Sequence, residues 1–143
     1  MADVRRCRIE DFADVLALLH QLWPGESLDE DALSVVYRRG LASDAQVYLC
    51  ATEGERVIGF GSLSLKSSLW QRGYLGHVDE LVVDGGHRGR GLGTRLLNEL
   101  VALARQRGCR RLELDSALHR EAAHRLYERL GFENRAYLFS KRL

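Results

Sequence analysis

Arginine and glycine alternate through Arg88-Gly89-Arg90-Gly91-Leu92-Gly93, inside a longer segment that runs from Asp84 to Thr94. These are the residues of the chain whose types and spacing suit them best to chemistry. Glycine at 89, 91 and 93 removes the Cβ atoms that would hold an anion away from the backbone N–H groups. Arg88 and Arg90 add charged donors and Thr94 adds a hydroxyl, so the segment is suited to a pyrophosphate. Two other nucleotide-binding patterns do not match. A Walker loop requires Gly-Lys-Ser/Thr after its spacer, and the dinucleotide fingerprint requires Gly or Ala where Thr94 stands.

Such a turn binds anions only if a strand delivers it and a helix opens from it, because the unpaired N–H groups of the first helical turn do the binding. Both elements are legible. Tyr74 to Val83 reads as a strand, and Leu92, Leu96, Leu97, Leu100, Val101 and Ala104 form the apolar stripe of a helix that Gly108 can stop. Arg111 to Asp115 reads as the next strand, so strand, helix and strand make a right-handed crossover between parallel neighbours.

Upstream, Val4 to Arg8 reads as a first strand. A helix follows, capped by Asp11, with Phe12, Val15, Leu16, Leu18 and Leu19 at helical spacing and Pro24-Gly25 as its end. Asp29 to Arg39 reads as a second helix with acids concentrated at its start. Gln46 to Thr52 and Val57 to Leu65 read as a hairpin across Glu53-Gly54-Glu55-Arg56. Downstream, a helix from His119 to Leu130 ends at Gly131, and Phe132 to Lys141 is expected to be a closing strand.

Composition narrows the functional classes. A chain of 143 residues suffices for one core, and a single domain over residues 1–143 is expected. With 21 basic against 20 acidic residues the formal charge of +1 supplies no field for nucleic acid or an anionic membrane. The longest apolar runs, such as Val15 to Leu19, cannot span a bilayer, and the start has no secretory leader, so a cytoplasmic protein is expected. Cys7, Cys50 and Cys109 read as reduced core thiols. His20, His77, His87, His119 and His124 have no ligand spacing, and no metal is expected.

The turn resembles the signature of the GNAT superfamily of N-acetyltransferases, Arg/Gln-x-x-Gly-x-Gly/Ala, at Arg88, Gly91 and Gly93. The resemblance extends to Glu80-Leu81-Val82-Val83-Asp84 and to Ala123-His124-Arg125-Leu126-Tyr127, with the exit Gly131-Phe132. It implies an α/β fold: a mixed, mostly antiparallel sheet with a splayed parallel strand pair and helices on both faces. It also implies acetyl-CoA as cosubstrate, contacted by Leu81, Val82, Val83, Arg88, Gly89, Arg90, Gly91, Leu92, Gly93, Thr94, Ala123 and Tyr127. Leu81 to Val83 would pair with the pantetheine arm, and the Val83 N–H would bond the thioester carbonyl.

The same resemblance implies Glu80 as the base that takes the amine proton and Tyr127 as the donor to the departing thiolate. Asp79 or His77 could replace Glu80. Strand alternation places Asp79 and His77 on the face opposite Glu80, unless a bulge intervenes. Arg120 stands where many relatives carry asparagine.

The acceptor is expected to be a small-molecule primary amine. Ser116 to Arg125 and Phe139-Ser140-Lys141 are similar to aminoalkylphosphonate N-acetyltransferases, whereas Leu22-Trp23-Pro24 and acids 26, 29, 30 and 31 resemble aminoglycoside 6′-N-acetyltransferases. Trp23, Tyr37, Trp70, Tyr74, His77 and Tyr137 are candidates for the acceptor pocket. A peptide acetyltransferase and a non-catalytic acyl-CoA-binding module are the alternatives. The apolar last strand either closes the sheet or pairs with another subunit, which would make a homodimer.

Overall fold

The computed structural model describes residues 2–143. Strand β1 (Asp3–Arg6) leads through a single helical turn into helix α1 (Phe12–Leu22), and helix α2 (Glu30–Ala42) follows. Strands β2 (Gln46–Glu53), β3 (Arg56–Ser68) and β4 (Gly73–Val83) come next, then helix α3 (Leu92–Gln106), strand β5 (Cys109–Leu114) and helix α4 (Glu121–Arg129). The residues form two compact units, one up to Glu113 and one from Leu114 to Leu143.

Among the described residues one sheet has the order β1-β2-β3-β4-β5, antiparallel except for the parallel pair β4 and β5. The β2–β3 hairpin turns through Gly54 at φ 63°, a left-handed conformation in which a side chain would be strained. β4 lies against β3 along its whole length but meets β5 over far fewer residues, so the parallel pair diverges.

Each face of the sheet carries helices. On one face, a Cβ at Gly59 would come within 3.0 Å of Leu96 and one at Gly61 within 3.1 Å of Leu100, so these glycines let α3 lie close on β3. On the other, Phe60 and Val82 join Val15, Leu18 and Leu19 of α1 and Tyr37 of α2 in a buried cluster. Tyr37, a candidate for the acceptor pocket by its sequence position, is instead a core residue whose hydroxyl donates to the Arg8 carbonyl at 2.7 Å.

Two local expectations are corrected. Asp11 precedes α1 but does not cap it. Its carboxylate accepts from the Arg5 guanidinium at 2.7 and 2.9 Å and from the Arg8 N–H at 2.7 Å, and Arg5 holds its pKa below the usual carboxylate range. Cys7 and Cys50 lie beside it as buried free thiols, with ligand atoms of all three residues within 4.8 Å of one another. Both oxygens of Asp11 are engaged by arginine and backbone donors. Asp29, by contrast, does cap α2, accepting from Ala32 N–H at 3.0 Å.

The second correction is larger: Phe132 to Lys141 is not a strand. Residues 132–143 have no regular secondary structure, and Tyr137, Leu138 and Phe139 are 85%, 68% and 88% exposed. Strand propensity in a sequence becomes a strand only where a neighbouring backbone supplies the hydrogen bonds.

Leu100 is fully buried where α3 meets β3. Leu100→Ala is expected to lower unfolding free energy by about 2–5 kcal/mol, measured by urea titration.

Candidate active site

β4 carries the site because its register against β3 changes part-way. Ser62 pairs with Glu80, but the next residue of β3, Leu63, pairs with Val78, leaving Asp79 as an extra residue. This is a β-bulge, a device that re-aims side chains. The alternation that would separate Asp79 from Glu80 is broken at that point, and the structure gathers Glu80, Asp79 and His77 on one face. Asp79 accepts from the Ser64 hydroxyl at 3.1 Å and lies 2.7 Å from His77 Nδ1.

Across the sheet, Tyr48 of β2, Ser62 of β3 and Glu80 of β4 form one row. The Ser62 hydroxyl donates to Glu80 Oε1 at 2.6 Å and accepts from the Glu80 backbone N–H at 2.9 Å, so serine fixes both ends of the glutamate. Burial pushes the Glu80 pKa up, against the lowering effect of the Ser62 bond, with Asp79 raising it and His77 lowering it. Tyr48 is likewise raised, first by burial and then by the charges of Glu80 and Asp79. A carboxyl whose pKa is raised in this way is a stronger proton acceptor than an ordinary glutamate.

The same strand then exposes its backbone. Asp84 N–H donates to the Ile58 carbonyl at 2.8 Å, and Gly59, Phe60 and Gly61 stand opposite Val83, Val82 and Leu81. Alternation of an antiparallel ladder therefore points the N–H and C=O groups of Leu81 and Val83 away from β3, toward the side where β5 diverges.

Beyond Val83 the chain is braced by Asp84. Its carboxylate accepts from Gln21 at 2.8 Å and from the Gly86 N–H at 3.2 Å, and lies 2.8 Å from His87. Those contacts, Gln21 first and His87 second, hold its pKa at about 2. Gln21 in return accepts from the Gly85 N–H at 2.9 Å, tying α1 to the turn. The turn itself stays open. Gly89 and Gly91 have φ 80° and 77° with no heavy atom within 4 Å of where a Cβ would stand. α3 begins after Gly91 with no side-chain cap. Arg88 Nε donates to the Val83 carbonyl at 3.1 Å, and Arg90 lies 3.4 Å from Glu53. Helix N–H groups without side-chain partners, positive-φ glycines with open space and two flanking arginines fit a pyrophosphate.

Ala123 and Tyr127 lie in the second unit, on the half-buried side of α4. Tyr127 meets Phe132 edge-on with ring centroids 6.0 Å apart, and its carbonyl accepts from the Phe132 N–H at 2.9 Å. Burial raises the Tyr127 pKa, opposed by the nearby charge of Arg120.

The Acetyltransferase (GNAT) family pattern matches residues 12–132. The chain belongs to this family. It is 32% identical to the aminoalkylphosphonate N-acetyltransferase of Salmonella typhimurium, over 100% of this chain and 92% of that one. It is 30% identical to the glucosamine 6-phosphate N-acetyltransferase of Trypanosoma brucei brucei, over 91% of this chain and 88% of the relative. Among solved structures, an aminoglycoside N-acetyltransferase in complex with CoA superposes with a TM-score of 0.85 at 22% identity, covering 100% of this chain and 96% of that one. The chain is thus an acetyl-CoA-dependent acetyltransferase of the GNAT family.

Sequence reasoning missed Tyr48, Ser62, Ser64, Gln21 and Asp84 as supporting residues. Ser62 and Ser64 alternate along β3 just after Gly59 and Gly61, a polar interruption of an otherwise buried strand that could have flagged them. Of the acceptor-pocket candidates, Trp70 and Tyr137 are 81% and 85% exposed, and Trp23 packs against the core.

A carboxyl with a raised folded pKa holds its proton more tightly folded than unfolded, so its titration removes stability as pH rises from the ordinary glutamate range through the raised value. Glu80→Gln removes that titration and keeps an oxygen to accept from Ser62. Melting temperatures across about pH 4 to 8 should show the variant at least as stable as wild type at the upper end, with the wild-type decline reduced.

Proposed function

We propose that the chain moves the acetyl group of acetyl-CoA onto the primary amine of a small molecule, by direct attack in a ternary complex within one catalytic domain. The observation that carries this reading is the build of β4. Within a few residues it presents a partly buried carboxyl at Glu80, outward-facing backbone groups at Leu81 and Val83, and an open glycine-rich turn that leads into the uncapped start of α3.

Acetyl-CoA, when bound, supplies the activated acetyl group. Arg88, Gly89, Arg90, Gly91, Leu92, Gly93 and Thr94 would hold its pyrophosphate. Leu81, Val82 and Val83 would align its pantetheine arm, and the Val83 N–H would stabilise the charge that develops on the thioester oxygen. Glu80 accepts the proton that an alkylammonium must lose before it can attack, with Asp79 and His77 in place to pass it on. Tyr127, kept protonated by its raised pKa, donates to the thiolate that leaves, and Ala123 lies one helical turn before it on α4.

Both relatives act on amines that also carry a phosphorus oxyanion, as their names state. The charge of Arg120 beside Tyr127 supports the same class, because it would attract an anionic amine and repel a polycation. The acceptor is therefore an amine bearing phosphonate or phosphate. The buried free thiols Cys7 and Cys50 are consistent with a reducing, cytoplasmic setting, and no helix among the described residues is long and apolar enough to cross a membrane.

The test is thiol release from acetyl-CoA over a panel of aminoalkylphosphonates, amino-sugar phosphates, aminoglycosides and peptides. The phosphorus-bearing amines are expected to turn over fastest. Glu80→Gln and Tyr127→Phe should each lower kcat by about 10²–10⁴, and the acid limb of the wild-type pH profile should lie above the ordinary glutamate range. Gly91→Val, which strains a φ of 77° and fills the open turn, should raise the KM for acetyl-CoA more than it lowers kcat. Tight acetyl-CoA binding without amine-dependent release would instead make the chain a binding module, and release with peptides alone would make it a peptide acetyltransferase.

A further inference from the structure

The β2–β3 hairpin reaches the glycine-rich turn with both backbone and charge. Ile58 has no partner on β2, because Ala51 pairs with Gly59 and Thr52 with Val57. The carbonyl of this extra residue accepts from the Asp84 N–H at 2.8 Å, so the hairpin is bonded to the start of the turn. At the hairpin tip Glu53 and Arg56 pair across Gly54 and Glu55, brought together by the left-handed backbone of Gly54. Both extend charge to the turn. Arg56 lies 4.0 Å from Asp84, while Glu53 Oε2 accepts from Arg90 at 3.4 Å and lies 3.6 Å from His87 Nε2. The hairpin thus sets an acid against two basic side chains of the turn.

That acid opposes the character of the turn. Open glycine backbone and an uncapped helix start suit an anion, and Arg90 adds positive charge to them. A guanidinium has donors enough to bond a carboxylate and a phosphate at once. Its charge is not shared so freely, because an anion brought to Arg90 meets a cation already partly neutralised and also comes close to Glu53. The two side chains are 57% and 48% exposed, so the pair is weak enough to be displaced.

We infer that Glu53 limits affinity at the pyrophosphate end of the cosubstrate, by competing for Arg90. The inference rests on the reading of residues 88–94 as the pyrophosphate site. Acetyl-CoA and the CoA product carry the same pyrophosphate, so Glu53 weakens both alike. Such a loss is uniform binding, felt in affinity and in the departure of product and not in the acyl-transfer step itself. Glu53 touches no reacting atom; it acts through Arg90 and is a positioning residue.

The test is the Kd of CoA by titration calorimetry, which needs no turnover, for wild type, Glu53→Gln, Arg90→Gln and the double variant. Glu55→Gln, the same change of charge two residues on, is the control. Glu53→Gln is expected to tighten CoA by about two- to fivefold at low salt, the worth of an exposed ion pair. The gain should shrink at about 0.5 M salt. Acetyl-CoA should gain by the same factor, and the KM for S-acetylpantetheine, which has no pyrophosphate, should not change. Arg90→Gln should weaken CoA more in the Glu53→Gln background than in wild type. Unchanged or weaker CoA binding in Glu53→Gln, or equal tightening in Glu55→Gln, overturns the inference, and the pyrophosphate reading stands if Arg90→Gln still weakens CoA. Arg90→Gln without effect in either background overturns that reading of Arg90 and the inference with it.

Discussion

One extra residue in β4 governs the geometry of the site. Asp79 has no partner position on β3, so the strand absorbs it by bulging, and side chains on either side of it share a face that a regular strand would divide. The consequence is electrostatic as well as geometric. Glu80, Asp79 and His77 interact, and Ser62 in the neighbouring strand clamps Glu80 by both its carboxylate and its backbone N–H. Past the bulge, Leu81 and Val83 direct their backbone groups away from β3 while β5 diverges from the strand. The carboxyl row and the outward-facing backbone thus belong to one strand that pairs along its whole length with β3 and only in part with β5.

The turn after β4 is held rigid while the space above it is left open. The bracing is done by residues around the turn: Asp84 and Gln21 hold its first part through reciprocal hydrogen bonds, and Arg88 is anchored to the Val83 carbonyl. The turn itself is left as glycine backbone with open space above Gly89 and Gly91. A side chain at either position would strain the left-handed backbone and fill that open space. On the α3 face of the sheet, glycine serves the opposite purpose: Gly59 and Gly61 are close-packed against Leu96 and Leu100, and they set how near α3 lies.

Much of this was legible from residue order. The apolar stripe from Leu92 to Ala104, the stops at Gly108 and Gly131 and the hairpin turn at Gly54 are local signals, each decided by a handful of neighbouring residues. The glycine-rich turn was equally local, because glycines, arginines and a helix start lie within one short segment. These features depend on backbone conformational preference and on periodicity, which a sequence carries directly.

What the sequence left open was decided by partners distant in the chain. Alternation alone set Asp79 against Glu80; only the pairing of β3 with β4 puts in the bulge that unites them. Asp11 had the residue type of a helix cap, yet the arginine side chain at position 5 and the N–H of Arg8 drew its carboxylate away. Tyr37 had the look of a pocket aromatic and became core because α2 turns it toward Arg8 and the β2 tyrosine, Tyr48. Phe132 to Lys141 had strand composition and formed no strand, since a strand exists only beside another that completes its hydrogen bonds. Periodicity and turn chemistry therefore determined most of the elements and the open glycine-rich turn, and the resemblance of a few motifs pointed to the family, whereas register, burial and the availability of a pairing edge could be settled only by tertiary contacts.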